Sequence, residues 1–132
     1  MDASHLEGLP LFGDLSKNER RRIAQHADEI DLPAGEELVH EGATAYEFFM
    51  IEQGSAEVRH GDEHVADLGT GDFFGEMGAL HHAPRNASVV TTSPMIAIVM
   101  TAHDLRALSQ AMPAIGEQLR AAIEKRSRTA LH

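Results

Sequence analysis

The 132-residue sequence contains no cysteine. That excludes a disulfide framework, a cysteine nucleophile, a thiolate zinc site and an iron–sulfur cluster. Positive charge is scarce: 11 Lys plus Arg stand against 21 Asp plus Glu, a formal net charge of −10. Such a chain lacks the many Lys and Arg contacts on which non-specific nucleic-acid binding runs. An anionic membrane surface is disfavoured for the same reason. Long apolar runs are missing too. The longest is Met95 to Met100, where a transmembrane helix needs about 20 residues. The first residues, Met1 to Leu11, lack the basic-then-apolar order of a secretory signal. Together these absences predict a cytoplasmic protein with neither nucleic acid nor membrane among its partners.

Catalytic signatures are equally sparse. There is no Gly-x-Ser-x-Gly and no His-Glu-x-x-His. The nine histidines include no His-x-His pair, the donor spacing a metal-dependent jelly-roll enzyme needs; His60 and His64 flank a turn and His81 and His82 are adjacent. No catalytic residue, metal site or cofactor is therefore expected.

What is present suits one domain, near the usual size and able to bury roughly 65–70% of its unfolded surface. Its charge is uneven. From Asp28 to Glu76 the only basic residue is Arg59, and the middle of the chain forms an acidic shell. An anion bound there has to be captured by a specific local cation against the general field.

Ser16-Lys17-Asn18-Glu19 has the spacing of a capping box. It predicts a helix to about Ala27 that buries Ile23, Ala24 and Ala27 and exposes Arg20, Arg21 and Arg22. Short apolar or alternating segments then follow between glycines: Ile30-Leu32, Leu38-Val39, Phe48 to Ile51, Ala56-Val58, Val65-Leu68, Ala87 to Thr91 and Met95 to Met100. Their length and spacing read as an antiparallel sandwich or barrel. Helical signals return at Thr101-Ala102-His103-Asp104, with Leu105, Leu108 and Met112 on one face. Pro113 ends or kinks that helix, and Ile115, Leu119, Ala122 and Ile123 form the stripe of a last one. The expected fold is α+β: a single domain over 1–132, with a helix at about 16–27, a β-roll of about eight strands at about 28–101, and two helices at about 102–126.

One stretch does not behave as strand throughout, Gly71 to Val89. Gly75 and Gly78 let backbone approach a ligand closely. Glu76 to Leu80 has room for one helical turn whose free N–H groups attract an anion. Arg85, set by Pro84, offers a planar fork of donors suited to phosphate and is the only basic residue between Arg59 and Arg106. Glu76 beside a phosphate would be repelled unless it accepts hydrogen bonds from hydroxyls.

Phe74-Gly75-Glu76-Met77-Gly78-Ala79-Leu80 followed by Pro84-Arg85-Asn86-Ala87-Ser88-Val89 resembles, without a gap, the phosphate-binding cassette of the cyclic nucleotide-binding domain family. Leu9-Pro10-Leu11-Phe12, Pro33-Ala34-Gly35, Glu41-Gly42 and Gly54 also stand where that family has such residues. The resemblance covers about residues 9 to 126. It implies an eight-stranded, jelly-roll-like antiparallel β-roll with an N-terminal helix and two C-terminal helices, of the cyclic AMP receptor and protein kinase A regulatory subunit type. It implies a 3′,5′-cyclic purine nucleotide, cyclic AMP ahead of cyclic GMP, as ligand. Arg85 would pair with the cyclic phosphate, Gly78 and Asn86 would donate backbone N–H groups to it, and Glu76 with Gly75 would hold the ribose 2′-hydroxyl. Phe74, Met77, Leu80 and Val89 would form the apolar wall. The base cap would come from the last helix, where Leu119, Arg120 and Ile123 are the candidates.

Two positions depart from the pattern. Asn86 replaces the usual Ala, Ser or Thr, which leaves the purine preference open, and Ala43 stands where Asp is frequent. The expected role is a regulatory sensor that relays binding through its C-terminal helices, whose stripe also offers a homodimer seam or an effector surface. Nothing after Ile123 is long enough for a winged helix or a kinase. Two alternatives remain: a ligand-free member of the same fold acting as a protein-interaction domain, and a small metal-dependent β-barrel enzyme.

Overall fold

Phe48 to Ile51 and Met95 to Met100 are apolar at consecutive positions, not alternate ones. A strand reads this way when both of its faces are covered. The computed structural model describes residues 1–39, 47–75 and 87–129, the side chains at 122, 123 and 125–129 excepted. Two 3-10 turns, Ala3–Leu6 and Pro10–Phe12, precede helix α1 (Lys17–His26). Eight strands follow: β1 (Asp28–Leu32), β2 (Glu37–Val39), β3 (Glu47–Gln53), β4 (Ala56–His60), β5 (Glu63–Leu68), β6 (Phe73–Phe74), β7 (Ser88–Thr91) and β8 (Met95–Thr101). Helices α2 (Ala102–Ala111) and α3 (Pro113–Thr129) complete the chain.

The strands form two four-stranded sheets, β1-β8-β3-β6 and β2-β7-β4-β5, and every strand pair is antiparallel. This is the α+β β-roll. Between the sheets lies one core: Phe49, Ile51, Phe74, Ala97 and Val99 from the first meet Val39, Ala56, Val58, Leu68 and Val89 from the second. The outer face of the first sheet carries a second core, where Phe48, Met50, Ile98 and Met100 pack against Leu6, Leu9, Phe12, Ile23, Leu105, Leu108, Met112, Ile115 and Leu119. Strands β3 and β8 thus divide alternate side chains between two cores, which is why their sequences do not alternate. In β4, with one covered face, Ala56 and Val58 are buried while Arg59 is exposed.

The helix boundaries follow local chemistry. Ser16 Oγ accepts from the Glu19 N–H and Glu19 Oε1 accepts from the Ser16 N–H, so the capping box is complete. Ile23, Ala24 and Ala27 are buried as expected. Arg20 is half-buried and not exposed, because its guanidinium donates to the Leu15 carbonyl. Thr101 caps α2 through the Asp104 N–H. Met112 leaves helical geometry (φ −126°, ψ 91°), and Pro113 opens α3, where its missing N–H costs nothing. Gly116 faces the preceding helix closely: a Cβ there would lie 2.9 Å from the Ser109 carbonyl oxygen.

The ends of the roll differ. At one, the β3–β4 and β7–β8 turns are tied together. The Ser55 N–H donates to Ser93 Oγ at 3.0 Å, Ser55 Oγ bonds Thr92 Oγ1 at 2.8 Å, and the Thr92 N–H donates to the Ser55 carbonyl. Gly54, at φ +112°, lies so close to Pro94 that a Cβ would be 2.6 Å from its carbonyl oxygen. The opposite end is where β2 and β6 finish and β3 and β7 begin, as the pairings Phe49 with Phe74 and Val39 with Val89 require.

Candidate functional site

The stretch singled out in the sequence leaves the first sheet through β6 and rejoins the roll in the second sheet through β7. Its two anchors are firmly placed. Phe74 has no exposed surface, and its ring stacks on Phe49 at 5.1 Å with planes 14° apart. Val89 is buried between its pairing partners Val39 and Val58. The two described members of the expected apolar wall are therefore brought together in one core. Gly75 sits at φ +90°, in the left-handed region that side chains disfavour, so the chain turns out of β6 at that residue. Glu76, Met77, Gly78, Leu80, Arg85 and Asn86 lie outside the described residues, as do Glu41, Gly42 and Ala43. Both segments begin and end at the same end of the roll.

The expected base-cap residues separate. Leu119 has no exposed surface and belongs to the helical core, while Arg120 next to it is exposed. The side chain of Ile123 is outside the described residues.

Two site features were not visible in the sequence. Phe73, preceding Phe74, points to the opposite core and meets Phe48 at 5.6 Å. The two rings of β6 therefore sit on opposite sides of the first sheet. Thr91, the one buried polar side chain among the described residues, donates from Oγ1 to the Pro33 carbonyl at 2.7 Å and accepts from the Glu36 N–H at 2.8 Å. It fixes the Pro33-Ala34-Gly35 turn to β7, the strand by which the site segment returns.

Among the described residues one group has metal-donor composition: His5, Glu29 and Glu52, whose donor atoms lie within 4.8 Å of one another. It stands on the outer face of the first sheet, away from the roll interior. No helix among the described residues is long and apolar enough to cross a membrane.

The model of the cyclic nucleotide-binding domain matches residues 29–112, which takes in both sheets and the whole segment between β6 and β7. The chain belongs to the cyclic nucleotide-binding domain family. This domain is 37% identical over 93 residues to a cAMP-dependent protein kinase regulatory subunit of Hypocrea atroviridis, covering 70% of the chain and 20% of that protein. It is 40% identical to the Neurospora crassa regulatory subunit, covering 69% of the chain and 24% of the relative. The chain thus spans about a fifth to a quarter of the length of these curated relatives. Among solved structures, the Thermus thermophilus catabolite activator protein superposes on the domain with a TM-score of 0.80 at 25% identity, covering 92% of the chain and 59% of that structure. The Trypanosoma brucei regulatory subunit of a cAMP-independent protein kinase A has the same fold, with a TM-score of 0.80 at 20% identity and cover of 92% and 45%.

Proposed function

We propose that this domain binds a 3′,5′-cyclic purine nucleotide, cyclic AMP in preference to cyclic GMP, and acts as a cytoplasmic regulatory sensor over residues 1–132. The observation that carries this reading is the ungapped cassette from Phe74 to Val89, set in a family β-roll whose flanking strands belong to opposite sheets. The fold alone is insufficient support, since the regulatory subunit of a cAMP-independent kinase shares it; the cassette residues add the chemistry. Arg85 pairs with the cyclic phosphate, with the Gly78 and Asn86 N–H groups on its oxygens. Glu76 and Gly75 take the ribose hydroxyl. Met77 and Leu80 extend the apolar wall begun by Phe74 and Val89. Arg120 is the base-cap candidate that the burial of Leu119 favours.

In this reading the ligand is bound and not transformed, no cofactor takes part, and the partner is an effector protein or a second copy met through α3. The relay runs through Met112 and Pro113, where the helical path breaks and dihedral change can be absorbed. Titration calorimetry with cyclic AMP and cyclic GMP tests the binding half: saturable binding, tighter for cyclic AMP, is expected, and none of either at millimolar concentration favours the interaction-domain reading. Arg85→Ala is expected to weaken binding by about 2–5 kcal/mol, the usual cost of leaving one partner of a buried charge pair unpaired, with little change in the melting temperature of the ligand-free protein. Hydrogen exchange tests the relay. Protection should change on binding in Ala114 to Lys125 as well as in the cassette; a change confined to the cassette makes the domain a passive binder.

A further inference from the structure

The first 3-10 turn (Ala3–Leu6) rests on the outer face of the first sheet. It buries Leu6 in the helical core, and the Met1 amino group donates to the Ala24 carbonyl at 3.0 Å. Its His5 reaches two strands that are not neighbours, since β8 runs between them. His5 Nδ1 lies 2.8 Å from Glu29 Oε2 on β1 and 3.5 Å from Glu52 Oε1 on β3. The β3–β8 register shifts between Ile51 and Gln53, so Glu52 sits at a bulge, a device that re-aims a side chain. The Glu52 side chain is 18% exposed and that of Glu29 26%. The ligand atoms of His5, Glu29 and Glu52 all lie within 4.8 Å of one another, so the two carboxyl groups are close neighbours. Asp31 acts on Glu52 from β1, and Asp2 and the N-terminal amine act on the group from the chain start.

Two carboxylates in contact repel unless a proton or a cation lies between them. Ligand atoms around a tetrahedral zinc are roughly 3.3 Å apart, from bond lengths near 2.0–2.2 Å. The 2.8 Å between His5 and Glu29 is instead a hydrogen-bond distance. We propose that His5, Glu29 and Glu52 form a proton-operated latch, which holds the N-terminal turn on the sheet in mild acid and loosens it above neutral pH.

The titration behaviour agrees in sign. Burial, then the Glu29 carboxylate, push the Glu52 carboxyl from 4.5 up to about 7. Between those values the folded chain holds a proton that the unfolded chain has released, so stability falls as pH rises through that window. The hydrogen bond to Glu29 raises His5 above 6.5; its contribution is full below that pH and is lost as pH climbs through the raised value. Glu29 is lowered, first by the hydrogen bond from Glu52 and then by His5, and its contribution is lost only in stronger acid. The hold is therefore strongest near pH 5 and weakest above 7. There the ionised Glu52 stands beside the Glu29 carboxylate with no shared proton to offset their repulsion. Leu6 is buried with Met112, Ile115 and Leu119, so loosening the turn uncovers the core on which α2 and α3 pack.

The test uses the full chain without nucleotide. Carbon-detected titration of the Glu52 carboxyl should give a midpoint near 7, and a midpoint in the ordinary carboxylate range overturns the latch. The melting temperature should fall by about 5 °C between pH 5.5 and 8, a shift of ordinary size for a single linked group. Hydrogen exchange of residues 1–6, corrected for its intrinsic pH dependence, should speed up over the same range. Glu52→Gln, which keeps shape and removes the titration, should flatten both responses. A variant with the wild-type pH slope overturns the proposal. So does a melting temperature at pH 8 that zinc raises in the wild type and not in Glu52→Gln, which would make the group a cation site.

Discussion

The two cores of this domain share a wall but differ in what surrounds them. Among the described residues the roll interior is lined by strand side chains and Ala87, and it borders both ends of the segment from 76 to 86 through Phe74, Ala87 and Val89. The helical core is enclosed by one sheet, the N-terminal turns and the helices, and draws on residues from Leu6 to Leu119. Side chains one position apart in β3, β6 and β8 belong to different cores: Phe48 and Phe49, Phe73 and Phe74, Ile98 and Val99. A shift of β6 by a fraction of an ångström is therefore felt on both sides at once. Packed interiors transmit strain because they lack the free volume to absorb it. Under the proposed function, this shared wall is the path by which a ligand at the cassette would reach the C-terminal helices.

The comparison can be broken most severely at β6. Phe74→Ala removes a fully buried ring from the roll interior and is expected to cost about 3–5 kcal/mol, the usual range for such a truncation, and to weaken nucleotide binding as well. Phe73→Ala, on the helical side and only partly buried, should cost less, roughly 1–2 kcal/mol, and leave the phosphate affinity nearer the wild type. Urea unfolding and calorimetry on the pair check both; equal losses of affinity would mean that the wall does not separate the cores. Next in size is Thr91→Val. It keeps the shape but strips the two hydrogen bonds by which a buried side chain holds an exposed turn, which costs about 1–3 kcal/mol, with faster exchange at Gly35 and Glu36 and none at α2. The smallest change is Gly116→Ala. Its Cβ would meet the Ser109 carbonyl, so α2 and α3 must separate; overpacking of roughly 1–3 kcal/mol is offset by about 1 kcal/mol of helix propensity. A net loss of about 1 kcal/mol confined to the helical side is expected. A stabilised variant would show that the helices part freely.

Much of this architecture was legible. The unbroken apolar runs of β3 and β8, the capping box at Ser16, the Gly61-Asp62 hairpin between β4 and β5, and Pro113 as a helix boundary each carry a local signal that survives folding. The 3-10 turns were not foreseen, because three or four residues make too short an element to show a period. Strand β6, of two residues, was legible only as the strand-like start of the stretch from Gly71. Its split of Phe73 from Phe74 depends on which face the sheet presents. The sequence placed Leu119 among residues able to face the base; Ile115 and Leu119, the described members of its stripe, are buried, but which neighbour covers a stripe is a tertiary fact. The close approach of α2 and α3 at Gly116 is a packing fact that no local pattern shows. His5, Glu29 and Glu52 lie more than 20 residues apart pairwise and meet only because β1 and β3 flank β8.

The tied end of the roll has a mechanical meaning. Gly54 against Pro94, with the hydroxyls of Ser55, Thr92 and Ser93 knotted around it, ties the two sheets together at that end like the leaves of a book at its spine. Leaves fixed in this way open like a book: displacement is least at the spine and grows with distance from it. Gly54 to Pro94 is the spine, and the described flanks Phe74 and Ser88 stand at the end away from it, where a small rotation of one leaf against the other gives the longest travel.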